Sequence, residues 1–290
     1  MTYLLKGFAG VLSALAFTFF VSGTSVAGSY ANADLLMETA DLSNMLGRED
    51  VRIVDVRPRK SYSKGHIPGA VNLSADDVID PHAPVNGHLL PNQQLATRLG
   101  ALGIDRQTKV VLYDDKGGFH AARLFWMLEY FGHRKVAVLN GGYPKWMKEG
   151  RLISERSREP QPKTFVINLT PRRHASADWI LDRRGERSNV VIDVRPTKLF
   201  KAGHIPWAQN IPWSQNLKAD ATMKSEKELL AHFAARGVTE DKNIVVHCQN
   251  GKAAAHSYFT LRLLGFPRVR SYDRSWMEWS AADDLPKQKG

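Results

Sequence analysis

One cysteine, Cys248, stands in a chain of 290 residues, so no disulfide can form within it. No run of five or six Lys/Arg occurs, although 40 Lys and Arg face 29 Asp and Glu, a formal net charge of +11. Charge dispersed in this way argues against a nucleic-acid partner and leaves an anionic membrane surface or small anionic substrates as counterparts. Beyond the N-terminus no stretch is long and apolar enough to span a bilayer. Hydrophobic residues at 43% and charged residues at 24% exclude a disordered chain, and the length leaves room for two ordinary domains.

The N-terminus has what the rest lacks. Lys6 precedes an apolar stretch from Gly7 to Val21, and small residues follow at Ser25-Val26-Ala27, with Ala31-Asn32-Ala33 as a second cleavage candidate. The apolar part is shorter than the ~20 residues of a membrane span, so a cleaved signal peptide over 1–27 is expected, with an uncleaved N-terminal anchor as the alternative. That predicts export, to the periplasm, with no stable membrane anchor after cleavage. No cysteine follows the apolar run to carry a lipid. In an oxidising compartment an unpaired thiol is either a small buried apolar residue or a reactive group.

The chain repeats itself. Ile53–Leu73 (IVDVRPRKSYSKGHIPGAVNL) recurs as Val191–Ile211 (VIDVRPTKLFKAGHIPWAQNI), matching Asp55 with Asp193, Arg57 with Arg195 and His66 with His204. Lys109–Trp146 parallels Asn243–Trp279 with one gap. Units this long are duplicated domains, expected over 34–150 and 166–285, with the charged, proline-bearing segment 151–165 as linker.

Within each half, short β-branched runs alternate with helical patterns. VRIVDV, KVVLYD, KVAVLN, NVVIDV and NIVVHC read as buried strands; NQQLATRLGALG, HAARLFWMLEYFG, SEKELLAHFAARG and AAAHSYFTLRLLG read as helices. Gly103, Gly132, Gly237 and Gly265 sit where glycine closes a helix. The prediction is an α/β fold with a parallel sheet flanked by helices in each half, and ligand sites beyond the strand C-termini.

Cys248 falls at such a strand end. The loop Gln249-Asn250-Gly251-Lys252-Ala253 follows it and opens a helix. Backbone N–H groups of a tight loop, a helix N-terminus and the Lys252 charge all favour a thiolate there. Asp114 holds the matching place in the first half. Residues kept in both copies (Asp55, Asp193, Arg57, Arg195, His66 and His204) are expected to be structural first, with Arg195 either facing the crevice or tying the loop from behind. His247, where the first half has Tyr113, is expected to point away from Cys248 because side chains alternate along a strand.

The order D-x-R, G-H-I-P-x-A-x-N, a strand ending in Cys-x-x-Gly, then SYDRSWMEW (Ser271–Trp279) resembles the rhodanese family, in its tandem-domain form (thiosulfate and 3-mercaptopyruvate sulfurtransferases). The resemblance implies two rhodanese-like domains, the first catalytically silent. It also implies a Cys248 persulfide that carries sulfur from an anionic donor to cyanide or a thiol. No metal or organic cofactor is implied, and a monomer is expected. Ser275 and Trp276 match residues that wall the pocket; with Lys252 and Arg195 they are the donor-binding candidates. Gln249-Asn250 matches neither the basic pattern of the thiosulfate branch nor the Gly-Ser of the mercaptopyruvate branch. Leu199 stands where a second arginine is common, and Arg274 where glycine is usual. Lys252 and the absence of the loop serine favour thiosulfate mildly, with 3-mercaptopyruvate the alternative donor; Leu199 and the unusual loop motivate the alternative function, a persulfide carrier without efficient turnover. Phosphatase relatives of this fold end a longer loop in arginine; here Ala254 stands at that place.

Overall fold

The computed structural model describes residues 30–290. The expected signal peptide, 1–27, lies outside these residues. The first half contributes β1 (Leu36–Met37), α1 (Thr39–Ser43), β2 (Val51–Asp55), α2 (Arg59–Tyr62), β3 (Val71–Asn72), α3 (Asn92–Ala101), β4 (Lys109–Tyr113), α4 (Ala121–Tyr130), β5 (Val136–Leu139) and α5 (Gly142–Lys148). The second contributes α6 (Ala177–Asp182), β6 (Asn189–Asp193), α7 (Thr197–Ala202), β7 (Gln209–Asn210), α8 (Glu226–Ala234), β8 (Asn243–His247), α9 (Lys252–Leu263), β9 (Val269–Ser271) and α10 (Ser275–Ala281).

Each half builds its own sheet from parallel pairings, ordered β1-β5-β4-β2-β3 in the first and β7-β6-β8-β9 in the second. Helices cover both faces, which is why the strands read as unbroken Val/Ile runs rather than alternating ones. The two-domain α/β architecture expected from the alternation of strands and helices is the one found. Gly103, Gly132, Gly237 and Gly265 take φ of 71°, 82°, 68° and 89°, the left-handed geometry that closes a helix. Helix α8 starts on a capping box, Ser225 with Glu228.

The segment 151–165 lies along the first domain. Ser154 and His66 exchange both backbone hydrogen bonds, and the Lys163 N–H donates to the Gly100 carbonyl.

The domains meet through α4 and α9. Every residue of α4 from Ala121 to Leu128 is buried, so the helix is apolar nearly all round. Phe125 packs edge-on against Phe259 at 5.0 Å, and burial of each ring is worth roughly 2–3 kcal/mol. Glu129 receives Tyr258 Oη at 2.6 Å and Arg262 Nε at 3.1 Å, fixing the register of one helix on the other. The N-terminal ends of both helices thus face one another across the interface, and each starts at the loop that follows a central strand.

Candidate active site

Strand β8 delivers Cys248 to the C-terminal edge of the second sheet, where it is 2% exposed. The Gly251 N–H donates to Cys248 Sγ at 3.2 Å. Gly251 has φ of 84°, and a Cβ there would lie 2.3 Å from the Asp273 carbonyl oxygen, so only glycine closes this turn. Helix α10 clamps the loop from the other side. Its first free N–H groups, Trp276 and Met277, donate to the Cys248 and Gln249 carbonyls, each at 3.0 Å.

Ser275 completes the clamp. Its Oγ accepts the Cys248 N–H at 3.0 Å, donates to the Tyr272 carbonyl at 2.8 Å and lies 3.9 Å from Sγ. Ser275 has φ of 57°, a left-handed conformation that costs a non-glycine residue about 1 kcal/mol or more. Gly142 takes the same position and the same φ of 57° in the first domain.

The equivalent loop of the first domain holds a carboxylate. Asp114 Oδ1 accepts the N–H groups of Lys116 and Gly118, both at 2.9 Å, and Oδ2 accepts those of His120 and Ala121 at 2.6 and 3.0 Å. The carboxylate therefore fills a nest of four inward N–H groups with its own negative charge.

Arg195 is 3% exposed. Its Nε and Nη2 grip both oxygens of Asp193, Nη2 also donates to the Gly203 carbonyl at 2.6 Å, and Nη1 donates to Gln249 Oε1 at 3.3 Å. Its guanidinium carbon stands 4.8 Å from the Trp276 ring. Arg57 makes the same grip on Asp55 and Gly65 in the first half. His66 and His204 stack on Tyr62 and Phe200 at 3.9 and 3.8 Å and hydrogen-bond the carbonyls of those residues. His247 is fully buried, with Nε2 3.8 Å from Asp193 Oδ2, and burial pushes its pKa below the ordinary value.

The Lys252 ammonium meets Asp76 of the first domain at 2.5 Å. Gln249 is exposed, Asn250, Lys252 and Ala253 half-buried. Leu199 is 45% exposed on α7, and Arg274 pairs with Glu278.

Three first-domain residues that approach the cysteine loop went unread in the sequence: Asp76, Gly87 and Arg123. A Cβ on Gly87 would lie 2.4 Å from the Asn250 carbonyl oxygen. Arg123 did leave a signal, the one Lys or Arg inside the largely apolar pattern HAARLFWMLEYF. Such a residue is seldom fully buried without a partner or a purpose.

A duplicated parallel α/β fold, with a thiol at the end of the central strand of one half and a carboxylate at the equivalent place in the other, defines a class of tandem-domain protein. The model of the rhodanese-like domain matches residues 38–149 and again 176–282, and the chain belongs to the tandem-domain rhodanese family of sulfurtransferases. It is 35% identical to the sulfur carrier protein TtuD of Thermus thermophilus, covering 90% of this chain and 99% of that one. It is 32% identical to the thiosulfate sulfurtransferase of Azotobacter vinelandii, over 89% and 98% of the two chains. Among solved structures, SseA of Escherichia coli, described as a 3-mercaptopyruvate sulfotransferase, matches with a TM-score of 0.76 at 30% identity, over 83% of this chain and 98% of that one.

Proposed function

We propose that the protein moves a sulfane sulfur from an anionic donor, thiosulfate in the first instance, to cyanide or a thiol through a persulfide on Cys248. The Cys248 thiolate attacks the outer sulfur of thiosulfate; a new S–S bond forms, the donor's S–S bond breaks, and sulfite leaves with the electron pair. The acceptor then attacks the outer persulfide sulfur. With cyanide a C–S bond forms, thiocyanate departs and the Cys248 thiolate is regenerated. The persulfide's terminal charge rests among the N–H groups of the loop Gln249 to Ala253.

The observation that carries this reading is the pair of loops. In the silent copy four N–H groups hold the carboxylate of Asp114, and in the other copy the Gly251 N–H already reaches Cys248 Sγ. An anion at the end of the cysteine side chain is what such a loop accommodates. Ser275 and Trp276 hold the loop in place, and Arg195 reaches it through Gln249. Lys252 receives the donor's charge by exchanging Asp76 for it.

The relatives named as thiosulfate sulfurtransferase and as 3-mercaptopyruvate sulfurtransferase support this chemistry and leave 3-mercaptopyruvate as the alternative donor. The relative named as a sulfur carrier favours a second reading, a persulfide carrier that passes sulfur to a partner thiol without efficient turnover. The N-terminal sequence supports export to the periplasm.

Intact mass after thiosulfate treatment tests the step common to both. The wild type should gain one sulfur atom and Cys248→Ser none; an unmodified wild type with both donors overturns the reading. Persulfide with thiocyanate production identifies the transferase, and persulfide without turnover identifies the carrier.

A further inference from the structure

Arg123 lies in α4 of the first domain, wholly buried. Its Nη2 donates to the Gly87 carbonyl at 2.7 Å and stands 3.5 Å from Asp273 Oδ2, while Nε and Nη1 have no hydrogen-bond partner among the described residues. Nη1 lies 2.7 Å from the point a Cβ on Gly251 would occupy, so the guanidinium packs beneath the residue whose N–H binds Cys248 Sγ. The Trp126 ring, 4.8 Å away, is its other neighbour of note.

This is not how the chain builds a structural arginine. Arg57 and Arg195 each grip both oxygens of an aspartate, with closest contacts of 2.6 Å. Arg123 meets its aspartate at 3.5 Å, and the other oxygen of Asp273 is engaged by His174 Nε2 at 3.1 Å. A buried guanidinium so loosely paired is expensive, which makes it a poor choice for stability alone. Guanidinium stays protonated even where burial lowers its pKa, as it does here.

The repeat sharpens the point. Arg123 and His256 are equivalent, each nine residues before the glycine that closes its helix, Gly132 or Gly265. Each crosses to the other domain's loop: His256 Nε2 hydrogen-bonds the Gly117 carbonyl at 3.1 Å. Burial lowers the pKa of His256 to about 4, so it is neutral at pH 7. A neutral side chain thus faces the loop whose negative charge is already held by four N–H groups. A permanent cation faces the loop whose sulfur must become negative.

Resting on the reading of Cys248 as the sulfur-carrying residue, we propose that Arg123 is a positioning residue supplied by the silent domain: it supports Gly251 and gives the Cys248 sulfur a counter-charge that Asp273 tempers. The other charged groups around the loop are committed elsewhere, Lys252 to Asp76 and Arg195 to Asp193, with buried His247 behind the strand and His88 and Arg274 beyond Asp273. The silent domain is on this account half of the active site.

The test exploits the single cysteine. Ultraviolet absorbance of the thiolate, taken as the difference between each protein and the same background carrying Cys248→Ser, gives the pH midpoint of thiolate formation. Arg123→Gln should raise the midpoint by about one pH unit, a tenfold loss of thiolate at fixed pH, and Arg123→Lys by less. Asp273→Asn should lower it. Midpoints that stay put, or that move the same way for both residues, overturn the proposal. Should Arg123→Gln fail to fold, Arg123→Lys and Asp273→Asn still decide by their opposite signs. Persulfide formation in the wild type is read separately by mass. Opposite shifts in a protein that takes no sulfur would retain the role of Arg123 and remove the function proposed for Cys248.

Discussion

Ser275 holds the Cys248 N–H with its side chain at 3.0 Å while its own backbone sits at φ of 57°, the left-handed region. Strain and hydrogen bond belong together: the conformation that disfavours serine is the one that aims Oγ at the cysteine. Ser275→Ala keeps the strain and orphans a buried N–H, and should cost about 2 kcal/mol. Ser275→Gly orphans the same group but relaxes the backbone, so it should be about 1 kcal/mol less destabilised than Ser275→Ala. Both should slow sulfur transfer from thiosulfate several-fold. Urea unfolding beside turnover checks this; equal stability of the two variants would remove the strain argument.

Asp114 makes the first-domain loop stable by filling it. Asp114→Ala would leave four N–H groups without their carboxylate, three of them on Gly118, His120 and Ala121 beside the buried start of α4. Water can reach part of this loop, so the expected loss is about 2–3 kcal/mol rather than four full hydrogen-bond penalties. Thermal and urea melts of Asp114→Ala, compared with Asp114→Asn, measure it. Asn keeps one good acceptor oxygen and should fall in between. A wild-type melt for Asp114→Ala would mean that the nest contributes nothing.

Much of this was legible in the sequence, for identifiable reasons. The central strands β2, β4, β5, β6 and β8 are runs of Val and Ile buried on both faces, and the four long helices carry clear patterns with closing glycines. Short elements such as β3, β7 and α7 were missed because two to six residues carry no period. The thiol and its copy Asp114 stood out by alignment of the halves. What did not show was the interface. That Gly87, Asp76 and Arg123 lie against the loop from Gln249 to Lys252 depends on how α4 packs on α9, and no local pattern encodes that contact. Asp273 is hidden differently, inside a motif (Ser271–Trp279) whose serine and tryptophan carry the family resemblance.

Lys252 and Asp76 form a pair across the domains, the lysine 22% and the aspartate 74% exposed. An ion pair so open to water is worth at most about 1 kcal/mol, cheap enough for a doubly charged donor to displace. Lys252→Ala should therefore raise the KM for thiosulfate several-fold with kcat little changed, whereas Asp76→Asn, which frees the ammonium, should lower it. Steady-state assays at two salt concentrations would check the electrostatic origin, since the difference should shrink as salt rises. If Lys252→Ala leaves KM unchanged, the lysine serves only to latch the domains.

His256 ties the fold to pH. Its ring is fully buried against Trp213 at 5.1 Å, with Nε2–H donating to the Gly117 carbonyl and Nδ1 within 3.4 Å of Asn216 Nδ2. Burial lowers its pKa from 6.5 to about 4. Between those values the unfolded chain binds a proton that the folded protein does not, so stability rises with pH across the window. The contribution is complete above pH 6.5 and is lost as the pH falls through 6.5 towards about 4, about 3 kcal/mol in all. Burial lowers His247 and His120 in the same direction, so the wild-type slope should reflect more than one proton. In His256→Gln, urea midpoints measured across that range should fall less steeply on acidification, by about one proton's worth. An unchanged slope would mean that His256 already takes up its proton in the folded state, and the interface would then have to accommodate a charge beside Gly117.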